Sequence, residues 1–300
     1  MTSSTEHVVD YGQFAARLAA PRTSRWELLS EVQREWGFEP EEWDPEDWDP
    51  ELWEDQDDPD EDDEGDEEDD EDSEDDDEEA RIDRSLPVPV ALREWWTWPE
   101  NTFMANARWY WTHPEMPPTL RPDPTGWGVA KEVPEGSPLL PPGGDRRVCV
   151  FMAEYQYCNE WGYAAAGAGQ DDPRVLVSVG DEDWVVQDRS VSEHLLHLAL
   201  MRLPSRLGWT LAVRQDDLDR DPAALARLTA AHPDMGLLPW RELGGDVVLH
   251  GGPDLIVRHD RGVADDYVLL LIGRTEAAVR EAAALLGAPC ADRDPEPPCV

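Results

Sequence analysis

Lysine is almost absent from this 300-residue chain: Lys131 stands alone beside 24 arginines. The bias points to GC-rich coding, as in a high-GC bacterium, and is not a physical constraint. Cysteine is scarce too. Cys149, Cys158, Cys290 and Cys299 form no CxxC pair and lack metal-ligand spacing, which argues against a zinc ribbon or a disulfide framework. No stretch approaches the ~18 consecutive apolar residues of a membrane span. The opening MTSSTEHVVDYGQF has neither the basic nor the apolar region of a secretory signal. A cytoplasmic protein with reduced thiols and no membrane partner is therefore expected. Catalytic signatures are missing as well. There is no GxSxG nucleophile elbow, so His250-Gly251-Gly252, which resembles an esterase oxyanion loop, reads as a turn between strands. Gly167-Ala168-Gly169 has no third glycine, and Asp171-Asp172 would repel a phosphate.

Acid and tryptophan are abundant. The formal net charge is −43, and 15 residues are Trp. The charge is unevenly spread. Residues 39–79 hold 30 of the 68 Asp and Glu and no base, leaving 38 acids against 25 bases elsewhere, a net of −13. Since the chain outside 39–79 is itself net negative, an ordinary basic surface for direct nucleic-acid binding is not expected. Such density of like charge self-repels and offers nothing to bury, so the acidic, largely disordered insert is placed at 39–80, with 55–79 its most extreme part. Within it, Trp43, Trp48 and Trp53 recur every five residues in WDPED, WDPEL and WED. A solubilising linker needs no aromatics, so these three are candidate partner-binding residues; the acidic run could also imitate a phosphate chain toward a basic partner.

The remaining pattern is α+β. Ser24 and Glu27 fit a capping box opening a helix with Trp26, Leu29, Val32 and Trp36 on one face, preceded by a shorter helix over 13–20. Ala91, Leu92, Trp95 and Trp96 mark a short helix after a Pro-bounded entry, and 97–145 reads as irregular. Strands are expected at 148–157, 161–165 and 174–179, then a helix capped by Ser190 and running to about Leu203. The last ninety residues read as a second α+β unit. It comprises a helix after Asp221-Pro222, a hairpin of 246–250 and 255–259, a strand at 267–272, and a helix from Thr275 stopped by Gly287. His194 and His197 share a helix face, but without a third ligand they read as two partly exposed helix histidines. No metal, cofactor or catalytic residue is assigned.

Three segments carry a resemblance. LPVPVALREWWTWPEN looks like a Leu-Pro entry into an aromatic-ended helix. VCVFMAEYQYCNEWGYAAAGAGQDDPRVLVSV places Glu154 two before Gln156, then Trp161-Gly162, Asp172-Pro173 and Val175-x-Val177. Trp184 is followed by SVSEHLLHLAL. Together they resemble the SUKH superfamily, shared by the yeast Smi and Knr cell-wall regulators and many bacterial immunity proteins. LPWREL and HGGPDLIV are similar to an extension of longer actinobacterial members, and the acidic insert departs from the pattern. The resemblance implies a SUKH-like mixed sheet packed with helices at 81–208. Around it are expected N-terminal helices at 1–38 packed on that core, a C-terminal α+β extension at 209–289 and a loose tail at 290–300. It implies a non-enzymatic immunity protein that binds a basic toxin domain, such as a nuclease, and occludes it. The alternative is an intracellular regulatory scaffold whose acidic insert tethers a basic partner. Glu154 and Gln156, two apart on a strand, have two readings: a polar patch offered to a partner, or a brace that bonds neighbouring backbone.

Overall fold

The computed structural model describes residues 9–37, 81–98, 109–123, 131–154, 156–179, 183–242, 245–262 and 267–298. A single 3₁₀ turn, Tyr11–Gln13, leads into α1 (Phe14–Leu18) and α2 (Arg22–Glu35). The expected Ser24 cap does not form. The helix begins three residues earlier, with the Pro21 carbonyl accepting the amides of Ser24 and Arg25. Helix α3 (Val90–Trp96) buries Ala91, Leu92 and Trp95.

Strands β1 (Trp109–Trp111) and β2 (Thr119–Arg121) lie where irregular chain is expected. At three residues each, they are too short for alternation to reveal them. Both pair antiparallel with β3 (Val148–Glu154), which is followed by β4 (Asn159–Ala164), β5 (Val175–Val179) and β6 (Val185–Asp188). The first sheet thus runs β1-β3-β4-β5-β6, with β2 also on β3. Gly162 in β4 is demanded by close approach: a Cβ there would lie 2.5 Å from the Cys149 carbonyl oxygen.

Helix α4 (Val191–Leu207) follows, capped by Ser190, whose Oγ accepts the Glu193 amide. Then come β7 (Trp209–Val213), α5 (Gln215–Asp219) and α6 (Ala224–Ala231), the last starting two residues beyond the expected Pro222. Strands β8 (Trp240–Glu242), β9 (Gly245–Gly252), β10 (Leu255–Arg261) and β11 (Leu269–Gly273) join β7 in a second antiparallel sheet, β7-β11-β10-β9-β8. Helix α7 (Glu276–Leu286), capped by Thr275 and ended by Gly287 at φ +96°, precedes α8 (Ala288–Ala291). The architecture is α+β, with two antiparallel sheets and several helices among the described residues.

One apolar core passes through both sheets. It joins Phe151, Trp161 and Val177 of the first sheet to Leu195 and Leu198 of α4, Leu29 and Val32 of α2, and Trp240, Val247, Ile256 and Ile272 of the second. All of α4 from Val191 to Met201 is buried, which an amphipathic reading of its leucines does not foresee. The fully buried Gln187 amide of β6 binds the sheets edge to edge, donating to the Pro239 carbonyl and accepting the Arg241 amide. The N-terminal helices are tied to the second sheet as well. Glu35 of α2 is bridged by Arg274, whose guanidinium also lies over the Tyr11 ring.

Gly251 and Gly252 close β9 instead of forming a turn, which Pro253 and Asp254 supply. A Cβ at Gly251 would sit 2.3 Å from the Tyr11 carbonyl oxygen. The tail departs from the expected loose strand of chain as far as 298. Glu296 exchanges two backbone hydrogen bonds with Thr210, and Arg293 bridges Asp217.

Candidate functional site

The face of the first sheet that points away from α4 carries the most unusual group of side chains. Antiparallel register fixes who shares that face: Tyr110 and Glu160 both lie opposite Ala153, and Ser178 lies opposite Glu160. Val133, Val148, Val150, Leu176 and Trp184 form a small apolar cluster on it. Beside that cluster Arg121 donates from Nε to Glu160 Oε1 at 2.6 Å, and both side chains are buried. Burial pushes the Glu160 carboxyl up from its ordinary range, against the pull of Arg121. Arg81 pairs with Asp123 alongside, and the Arg81 carbonyl accepts the Leu120 amide.

The β3–β4 turn sets the shape of this face. Glu154 is the last residue of β3, and its Oε2 accepts the amides of Gln156 at 3.0 Å and Cys158 at 3.4 Å. The chain has already left the strand at Gln156, which is exposed in the turn. The two expected partner-binding residues therefore do not share a sheet face; the carboxylate of one holds the backbone of the other. This bracing gives Tyr157 its backbone, with φ +56°, a conformation uncommon for a bulky residue. The Tyr157 ring is thereby laid on that of Tyr110, with centroids 5.4 Å apart and planes 15° apart. The guanidinium of Arg121 lies 6.0 Å from the Tyr157 centroid. Tyr110 remains 52% exposed and Tyr157 37%. Such a pair contributes about 0.5–1.5 kcal/mol beyond area burial, so the rings form an ordered apolar platform open to solvent. Sequence reasoning missed it because a positive φ in a non-glycine leaves no compositional mark. The signal available was Tyr157 lying one residue past Gln156. Trp43, Trp48 and Trp53, with the whole acidic run, lie outside the described residues.

His194 and His197 correct an expectation. Both are fully buried, because the carboxylate of Asp188, at the end of β6, reaches each ring: Oδ2 lies 2.8 Å from Nδ1 of His194 and Oδ1 lies 3.0 Å from Nδ1 of His197. Trp240 stacks on His194 at 5.3 Å and meets His197 edge-on at 5.0 Å. Burial drives the Asp188 carboxyl upward, but the two imidazoles outweigh it and hold it at about 2. Burial lowers His194, with Asp188 opposing. Enclosed on all sides, the cluster fastens α4 to β6. Among the described residues no group of three His, Cys, Asp or Glu is placed to hold a metal, and no helix is long and apolar enough to cross a membrane. A shallow apolar cleft beside Leu139, Leu140 and Leu176 has a volume of about 240 Å³, below the ~300–1,000 Å³ of small-molecule sites. Comparison of the chain with known protein families, curated proteins and solved structures gave no match.

Proposed function

We propose that this chain is a non-enzymatic protein-binding protein of SUKH-like architecture. In this reading it acts in the cytoplasm as an immunity protein that binds a basic toxin domain and neutralises it by occlusion. The observation that carries the reading is the exposed, stacked Tyr110–Tyr157 pair. Tyrosine is enriched at interface cores, and a few such anchors supply most binding energy. Charge supports the same face. The acidic run rejoins the described chain at Arg81, whose carbonyl is bonded to Leu120, the neighbour of Arg121. In this reading the carboxylates of that run steer a cationic partner toward the protein by long-range attraction, and the rings hold it.

Division of labour follows. Exposed charge acts over roughly 8–10 Å at physiological salt and governs encounter; desolvated ring contacts govern residence. The test starts with affinity capture from the native host, using the full chain and a chain lacking 39–80. Co-expression then measures whether the toxicity of the captured protein is suppressed. Rising salt and loss of the insert are expected to slow association and leave dissociation nearly unchanged. Tyr110→Ala with Tyr157→Ala is expected to speed dissociation about 30-fold, the effect of losing a ~2 kcal/mol anchor. A captured protein that is harmless alone, or whose binding ignores both salt and the tyrosines, would refute the proposal. If faster dissociation instead follows changing Trp43, Trp48 and Trp53 to Ala, the insert itself docks.

A further inference from the structure

We infer that the outward face of Tyr110 receives an arginine guanidinium from the protein partner. The inference rests on the binding role proposed above and adds the chemistry of the contact. Tyr157 covers one side of the Tyr110 ring, and half of the residue stays open. The chain itself shows what tyrosine rings in this fold accept. Guanidinium carbons lie 5.0 Å from the Tyr11 centroid (Arg274), 5.5 Å from Tyr267 (Arg214) and 6.0 Å from Tyr157 (Arg121). A planar, weakly hydrated guanidinium stacks on an aromatic face with little desolvation cost, whereas an ammonium holds its water. Arg121, the guanidinium beside Tyr157, does not oppose a second one, since Glu160 neutralises it through their 2.6 Å bridge. The net charge of −43 favours a cationic visitor over an anionic one.

Hexa-arginine and hexa-lysine peptides, matched in charge, separate ring recognition from simple attraction to carboxylates. Both are titrated into the full chain at physiological salt, following affinity and the aromatic NMR signals of the tyrosines. Hexa-arginine is expected to bind about two- to five-fold tighter than hexa-lysine, and to shift the Tyr110 ring signals where hexa-lysine does not. Tyr110→Phe should keep that preference. Tyr110→Leu should abolish it, leaving the two peptides bound equally by charge. Equal affinities in the unaltered chain, or a preference that survives Tyr110→Leu, would overturn the inference. The ring shifts in the unaltered chain decide the matter even if a variant fails to fold. Toxin neutralisation without an arginine preference leaves the proposed function standing and removes this contact. An arginine preference without neutralisation retains the contact as chemistry and rejects the immunity role.

Discussion

Replacing Asp188 with alanine removes an acceptor that two buried imidazoles share. Asp188, His194 and His197 are all fully enclosed, so water cannot take over its place. Breaking a buried charged set by removing one member costs about 3–5 kcal/mol. The same loss viewed from the rings is two unpaired Nδ1 atoms at roughly 1–3 kcal/mol each. At about 2–4 °C per kcal/mol for a folded unit of this size, the melting temperature should fall by roughly 6–20 °C. Asp188→Asn should cost less, because the amide oxygen still accepts from one ring and the amide nitrogen donates to the other after a tautomer change. The pH dependence has a definite sign. A carboxyl held at about 2, below its ordinary 3.8, contributes stability that is present above 3.8 and lost as pH falls through 2. His194 is lowered from 6.5, so its neutral form is favoured in the fold, and its contribution is present above 6.5 and lost as pH falls below it. Without Asp188, protonating that buried ring costs more still. The gap between the unaltered chain and Asp188→Ala should therefore widen from pH 8 to pH 5. Urea and thermal unfolding at both values measure it. A loss below about 1 kcal/mol, or a gap that narrows on acidification, would refute the reasoning.

Gly251→Ala should destabilise by about 1–3 kcal/mol through overpacking, since its Cβ meets the Tyr11 carbonyl; Gly169→Ala, with nothing within 4 Å, should leave the melt unchanged. Burial pushes the Cys149 thiol up to about 12, so a thiol reagent at pH 8 should label the partly exposed Cys158 in the folded chain and Cys149 only on unfolding. Deleting 55–79 should leave the thermal transition in place at moderate salt, because like-charged chain has nothing to bury; lost cooperativity in the deletion would contradict this.

Where local chemistry decides, the fold was legible. The Ser190 and Thr275 caps form, Gly287 ends its helix, and β3, β4 and β5 fall in the strand segments that turn-prone residues separate, with ends shifted by up to three residues. What was hidden depends on partners distant in sequence. Asp188 makes two histidines buried, a property that belongs to the packing of β6 on α4 and not to any pattern in HLLH. Gly251 looked like a turn residue, because only the approach of Tyr11, some 240 residues away in sequence, shows why no side chain fits there. Glu154 and Gln156 lie in the same β3–β4 hairpin as Tyr157. The exposed chemistry is nonetheless on Tyr157 and Tyr110, brought together by a turn conformation and a three-residue strand that periodicity does not register.

The internal ion pairs give the charge argument its force. Arg22, Arg25, Arg81, Arg121, Arg147, Arg202 and Arg274 are each committed to a carboxylate within the fold, several of them well buried. Their role is to connect elements: Arg25 joins α2 to Asp172 ahead of β5, and Arg274 joins the end of β11 to Glu35 of α2. With 68 acids against 25 bases in the whole chain, the surplus charge is acidic however the cations pair. Surplus charge alone gives fast, unselective and salt-sensitive encounter. Lasting and selective contact needs surface that loses its water, and Tyr110 and Tyr157 are two of the four large hydrophobic residues left exposed in the described chain, the two that stack on each other. Charge for arrival and stacked rings for residence are separable by mutation, and that separability sets this reading apart from a linker that only keeps the protein in solution.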